Sequence, residues 1–166
     1  MTTRVQARGL GIDLVRGWEA EIRPVSASAS VSGPTAASAS SAGAGRQSDA
    51  VLHAANFALP AARGEFGAGA VEVMRSGHAF VAVVEYGDEA VGLPLFDHPR
   101  PAGLDPAELD QGPLQRWLPG QLGCQRFFTE GGRAFCLYVV LSGPSLRRLV
   151  VPRLNDVLAT ITVDPR

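Results

Sequence analysis

The sequence predicts a single α+β domain, in which helices pack on the faces of one antiparallel β-sheet and a C-terminal helix is followed by a last strand. Residues 122–141, LGCQRFFTEGGRAFCLYVVL, consist of two apolar runs around a Glu-Gly-Gly segment. Glycine tolerates the positive φ of tight hairpin loops, so this pattern predicts a β-hairpin. An amphipathic segment and the strand-like run ATITV (159–163) follow. The chain has 166 residues, 46% of them hydrophobic, which suits one core and one domain over residues 1–166.

Three segments before the hairpin are predicted to form strands. Residues 10–23 alternate between apolar and polar and form two strands or one bent strand, with Gly17 at the bend. Residues 50–59 (AVLHAANFAL) form a strand that Pro60 ends. Residues 79–86 (AFVAVVEY) are apolar on both faces and are expected at the centre of the sheet.

Three segments are predicted to be helical. Residues 67–75 place Val71 and Met74 three positions apart. Residues 106–117 begin after Asp105, which is expected to cap the helix. In residues 144–158 apolar side chains recur at helical spacing, but Pro152 predicts a first turn, a kink and a second helix from about residue 151.

The two cysteines, Cys124 and Cys136, lie on the two predicted hairpin strands. With Gly131 at the centre of the turn, Cys124 is opposite Tyr138 and Arg126 is opposite Cys136. The cysteines are then diagonal neighbours on one face, about 7 Å apart at Cα. A disulfide prefers a shorter separation, so we expect two buried thiols, with a bridge as the alternative.

Residues 26–48 are almost wholly Ser, Ala and Gly. Such a segment buries too little apolar surface to offset its ordering entropy, so we expect a disordered loop.

Charge and composition exclude several classes of function. The 15 basic and 16 acidic residues give a net charge of −1, which favours neither nucleic acid nor an anionic membrane. Lysine is absent, as in proteins from GC-rich bacterial genomes, and this excludes Schiff-base chemistry and a phosphate-loop lysine. With no run of signal-peptide length and none approaching the roughly 18 apolar residues of a membrane span, the expected location is cytoplasmic, without membrane insertion.

No catalytic, cofactor-binding or metal site is predicted. His53, His78 and His98 have no helical ligand spacing, so a metal site would need distant residues to converge. The glycine-rich residues 64–69 (GEFGAG) lack the spacing of a dinucleotide fingerprint and are interpreted as a helix entry.

The strongest functional candidate is the segment QRWLPGQ, residues 115–121. Trp and Arg are enriched at binding hot spots, and a loop position favours exposure. We therefore predict that Arg116 and Trp117, together with Phe96, form a partner-binding surface. The alternative is that Trp117 packs on the sheet as a core residue, as we expect for Trp18.

The order of elements resembles the PsbP-like fold of photosystem II extrinsic proteins and of small actinobacterial lipoproteins and accessory proteins. The features that carry this resemblance are the apolar run from Ile12 to Trp18, the long hairpin, and the end NDVLAT (155–160) before a last strand. The resemblance implies an antiparallel sheet with helices on its faces and a binding module rather than an enzyme. The lipoproteins' signal sequence and lipobox cysteine have no counterpart here, and no functional residue of the family maps onto this chain.

These observations predict a non-enzymatic accessory or protein-interaction subunit of a larger bacterial assembly, whose partner is another protein. The alternative is a small-molecule-binding domain or small hydrolase, with its pocket between the sheet and the loops of residues 87–120.

Overall fold

A computed structural model describes residues 3–25 and 49–166 of the protein, and the loop predicted at residues 26–48 lies outside them. Eight strands and one α-helix form within the described residues. The strands are β1 (Thr3–Ala7), β2 (Leu10–Leu14), β3 (Glu19–Pro24), β4 (Ala50–Ala55), β5 (Ala79–Tyr86), β6 (Gln121–Glu130), β7 (Arg133–Ser142) and β8 (Thr162–Val163). The helix is α1 (Arg147–Leu158).

The strands form two antiparallel sheets, a small one in the order β1-β2-β8 and a large one in the order β3-β4-β5-β7-β6. The prediction of a single sheet with helices on its faces is therefore wrong. Residues 10–23 divide at a turn in which Gly17 has a φ of 82°, so that β2 and β3 enter different sheets. The closing strand is only two residues long and pairs with β2.

Two of the three predicted helices are wrong in extent. Residues 67–75 contain only a 3-10 turn, Val71–Val73, because Gly67 and Gly69 adopt positive φ values of 87° and 92°, which no α-helix contains. In residues 106–117 the helical part is Pro106–Glu108, capped by Asp105 as predicted. Each of these two segments therefore contains a single helical turn, whereas the sequence predicts a helix that covers the sheet.

The helix α1 runs through Pro152 without a break, so the predicted division at this residue is wrong. Four side chains of α1 are buried in the core, and their packing outweighs the backbone hydrogen bond that proline cannot donate. They are Val151, Leu154, Val157 and Leu158. No helix in the described ranges is long and apolar enough to cross a membrane.

The hairpin forms as predicted, but its register differs by one residue. Its loop is the pair Gly131–Gly132, with φ values of 60° and 74°, and Glu130 pairs with Arg133. Positive φ at both loop residues is typical of the two-residue hairpin turn that matches strand twist. Because a one-residue shift moves side chains to the other face, the prediction that the two cysteines share a face is wrong.

Cys124 lies opposite Val139 and Cys136 lies opposite Phe127, so the two thiols point to opposite faces of the sheet. Both are buried and free. Burial raises the pKa of Cys124 and raises the pKa of Cys136 to about 11. The two thiols are thus inert, core-forming groups.

We expect neither cysteine of the folded protein to react with a thiol reagent at pH 8, because both sulfur atoms are inaccessible and protonated. In denaturant without reductant, two thiols per chain should react. In the Cys136→Ser control, one thiol per chain should react in denaturant. Recovery of no thiol from the denatured wild-type protein would demonstrate a bridge and contradict this arrangement.

The large sheet has two differently covered faces. Its inner face packs on the small sheet and on α1 in one continuous core that includes Trp18, as predicted. Its other face carries Val51, Phe80, Val84, Tyr138 and Val140, and side chains from residues 57–74 and 114–118 pack against it. We call this second face the loop-covered face, because irregular segments and single turns cover it instead of helices.

Candidate functional site

Six large apolar side chains are exposed among the described residues. Two of them, Val73 and Trp117, lie in the segments that cover the loop-covered face, and Leu149 lies on α1. The other three lie in the turns of residues 88–96, which pack next to Tyr86 and Phe127 on the same face; they are Val91, Leu93 and Leu95. A concentration of apolar side chains on one face is typical of an interaction surface.

A cleft opens on this face beside the Arg116-Trp117 segment. It has a volume of about 260 Å³ and is lined mainly by apolar surface. The lining residues are 64–66, Ala68, Val71, Gln115, Arg116 and Tyr138. We call it the Tyr138 cleft, because this tyrosine comes from the sheet itself. An apolar cavity of about 150 Å³ holds a benzene molecule, so the cleft has room for one aromatic or branched aliphatic side chain.

The segment that carries Trp117 is fixed on both sides. The backbone N–H of Gln115 donates to the hydroxyl of Tyr138 at 2.8 Å, and Arg116 forms an ion pair of 2.8 Å with Glu72. Leu118 packs against the loop-covered face on the other side of Trp117. These contacts of Gln115, Arg116 and Leu118 hold the segment in place, and the side chain of Trp117 remains exposed.

Trp117 itself is 61% exposed, so the alternative that it is a core residue is wrong. Its indole N–H has no hydrogen-bond acceptor among the described residues. An exposed aromatic side chain on a fixed loop loses little conformational entropy when a partner covers it. This geometry is suited to an anchor residue.

Phe96 does not contribute to the exposed surface, since it is only 4% exposed. Its ring packs against Tyr86 at 5.1 Å and against Phe127 at 5.3 Å between centroids. Its sequence neighbour Leu95 is exposed instead. The structure therefore places Arg116 on the cleft and leaves Trp117 exposed next to it in the chain, whereas Phe96 supports the separate turn at residues 94–96.

A buried polar cluster holds one wall of the Tyr138 cleft from behind. His53 on β4 is fully buried, and its Nε2 lies 2.7 Å from the backbone oxygen of Glu65. Arg63 Nε donates to His53 Nδ1 at 2.9 Å, and Arg63 also pairs with Glu21. Because Nδ1 accepts a hydrogen bond from Arg63, the ring hydrogen is on Nε2 and the ring is neutral. Burial lowers the pKa of His53 to about 4, so at neutral pH this cluster is a structural support.

The two tyrosines on this face are also held in their uncharged forms. Burial raises the pKa of Tyr138, and the pKa of Tyr86 is raised to about 12 by the same cause. Within the described ranges no three His, Cys, Asp or Glu side chains are grouped as metal ligands would be. The cleft is thus lined mainly by apolar surface, with Glu65, Gln115 and Arg116 as its polar side chains.

A second cavity, of about 240 Å³, lies between the two sheets and is polar. Its centre is the ion pair of Arg133 with Glu85, with a shortest distance of 2.8 Å. Arg133 also donates to the backbone oxygens of Arg8 and Gly9 in the β1–β2 turn. All five N–H groups of Arg133 are used within the protein, so this side chain joins the two sheets and has no donor left for a ligand.

Comparisons with known proteins give no relatives for this architecture: no protein family model matches the chain, and neither the curated proteins nor the solved structures include a significant match. The resemblance to the PsbP-like fold is not tested by these comparisons and stays a prediction.

Of the residues that line the cleft, the sequence offered only Arg116 as a candidate. Tyr138 is part of an apolar strand, where nothing distinguishes it from a core residue. Phe66 lies in the glycine-rich segment of residues 64–69, which is predicted to be a helix entry. The clustering of glycines in this segment is a usable signal, since it favours an irregular, function-bearing loop.

Proposed function

We propose that this protein is a non-enzymatic protein-interaction subunit of a larger bacterial assembly, and that it docks through the loop-covered face. The observation that carries the proposal is the exposed Trp117, on a segment held by Gln115, Arg116 and Leu118. Tryptophan and arginine beside a desolvated pocket are the usual composition of an interface hot spot.

A second candidate function is a small-molecule-binding domain or small hydrolase. The Tyr138 cleft favours it, although the cleft lies between Tyr138 of β7, residues 64–71 and residues 115–116, so that only residues 115–116 belong to the loops where the sequence predicts a pocket. Its volume is below the range of about 300–1,000 Å³ that is usual for ligand sites. We therefore place protein interaction first, with the cleft receiving one side chain of the partner.

The experiment is affinity purification of the tagged protein from its host, followed by binding measurements with the purified partner. We expect Trp117→Ala to weaken binding by about 2 kcal/mol or more, close to 30-fold in Kd. Its free energy of unfolding should change by less than about 0.5 kcal/mol, since the side chain is exposed.

Leu149→Ala provides the matched control, because Leu149 is also a large exposed apolar residue but lies on α1, at 70% exposure. It should leave both binding and stability unchanged. Equal losses of affinity in the two variants, or unchanged affinity in Trp117→Ala, would count against the docking surface.

A further inference from the structure

Arg116 and Gln115 are the polar side chains lining the Tyr138 cleft whose hydrogen-bonding groups are not fully used within the described part of the chain. Arg116 is 64% exposed at its side chain and uses only Nη1, toward Glu72. The Gln115 amide can donate and accept, but Arg116 can only donate, so a ligand that binds Arg116 has to supply an acceptor.

The carboxylates near the cleft are already engaged. Glu72 accepts from Arg116 through one oxygen and from the backbone N–H of Gly69, at 2.6 Å, through the other. Glu65, on the wall formed by residues 64–66, is likewise engaged within the described part of the chain. Arg116 is therefore the charged group at the cleft with unused hydrogen-bonding capacity, and its planar fork suits a second carboxylate.

We infer that the partner segment docked at this cleft carries a large apolar side chain, which enters the cleft, and an acidic residue close to it in sequence, which binds Arg116. This inference rests on the proposed function. The apolar lining of the cleft favours the apolar side chain, and the guanidinium of Arg116 favours the acidic residue. A basic segment would place its cations against Arg116, whereas a nucleic-acid backbone would require several cations, and Arg116 is the one cationic side chain among the described residues that line the cleft.

The test uses a phage-displayed library of random 12-residue peptides, selected on the immobilised full-length protein. We expect enrichment of Leu, Phe, Met or Tyr with Asp or Glu at a constant short spacing. Trp117 provides a direct fluorescence signal for binding, because the other tryptophan, Trp18, is buried. Enrichment of apolar peptides without an acidic residue, enrichment of basic peptides, or no enrichment at all would overturn the inference.

A double-mutant cycle then isolates the contact between Arg116 and the acidic residue. In the wild-type protein, replacing the peptide's Glu by Gln should weaken binding about tenfold. In Arg116→Gln the same change in the peptide should have almost no effect, whereas in the control Arg148→Gln, an exposed arginine on α1, it should again cost about tenfold. Equal losses in all three proteins would overturn the inference.

A small acid serves as the remaining comparison. If 3-phenylpropionate binds as tightly as the selected peptide, a free carboxylic acid is the occupant and the inference of a protein segment is overturned. If Trp117→Ala weakens the native partner while the cycle shows no coupling at Arg116, acid recognition is overturned and the docking function stands. The two failures are therefore distinguishable.

Discussion

Replacing Arg133 with methionine is expected to lower the free energy of unfolding by about 3–5 kcal/mol, measured by urea denaturation at pH 7. Arg133 and Glu85 form a buried ion pair, with side chains that are 4% and 1% exposed. Both oxygens of Glu85 accept from Arg133, at 2.8 Å each. Methionine fills a similar volume but leaves the carboxylate buried without this partner.

The same substitution also removes hydrogen bonds that connect the two sheets. The guanidinium of Arg133, on the large sheet, donates to the backbone oxygens of Arg8 and Gly9 at 3.0 and 2.8 Å. Arg8 is a non-glycine residue in the left-handed region, with a φ of 53°, so the turn it belongs to depends on such contacts. Arg166 contacts Glu85 at 2.9 Å and keeps part of the charge compensated, which places the loss nearer the lower end of the range.

Two variants control this prediction. Arg133→Met combined with Glu85→Leu should recover a large part of the loss, because the unpaired buried charge is then removed as well. Arg4→Ala removes an exposed ion pair with Asp13 on the small sheet and should cost no more than about 1 kcal/mol. A loss below about 1 kcal/mol in Arg133→Met would mean that the cluster does not join the sheets.

The stability of the protein is expected to fall as the pH is lowered from about 6.5 to about 4, by about 3 kcal/mol in total. Burial lowers the pKa of His53 from 6.5 to about 4. Between these values the unfolded chain takes up a proton at His53 and the folded protein does not, so protonation favours unfolding. Above about pH 6.5 both states are neutral, and below about pH 4 both are protonated, so the contribution of His53 is constant outside this window.

The surroundings of His53 explain why its charged form is disfavoured. Its Nδ1 already accepts from Arg63, and the positive charges of Arg63 and Arg23 add to the effect of burial, opposed by Glu21. The contact with Arg63 lowers the pKa of Glu21, so its contribution to stability is lost only at lower pH, as the carboxylate is protonated. The decline above about pH 4.5 therefore reports mainly on histidine.

Urea denaturation at several pH values from 4 to 7.5 measures this decline, and NMR titration of the ring protons measures the His53 pKa directly. His53→Phe should be less stable at pH 7 but lose most of the pH dependence. His78→Asn is the control, because the pKa of His78 is also lowered but the side chain is less enclosed, so the steep decline should remain. A His53 pKa near 6.5 would contradict the neutral, buried cluster.

Elements with strong local patterns were predicted from the sequence, and the structure confirms them. The strand β5, the turn at Gly17, the cap at Asp105 and the hairpin around Gly131 follow from apolar alternation or from residues with special backbone preferences. Such preferences act between neighbours in the chain and hold in almost any fold. They identify the elements but not how the elements meet.

The candidate site shows this limit most clearly. The composition of residues 115–121 made Arg116 and Trp117 candidates, but the position of their segment is set by contacts with distant residues, Tyr138 and Glu72, the latter 44 residues away in sequence. Similarly, Phe96 has the character of an interface residue in the sequence, yet it is buried against Tyr86 and Phe127. Exposure is a property of packing, and no local pattern encodes it.

By itself, the sequence determined the strands of the hairpin and of β5 and the absence of lysine chemistry, and it offered the Arg116-Trp117 segment as a candidate surface. Only the tertiary structure decided the division into two sheets, the hairpin register, the cleft beside Trp117 and the pairing of Arg133 with Glu85 across 48 residues. The reason is that propensity acts between near neighbours, whereas strand pairing and side-chain burial depend on which distant surfaces meet. A shift of one residue in that pairing is enough to move every side chain of a strand to the other face.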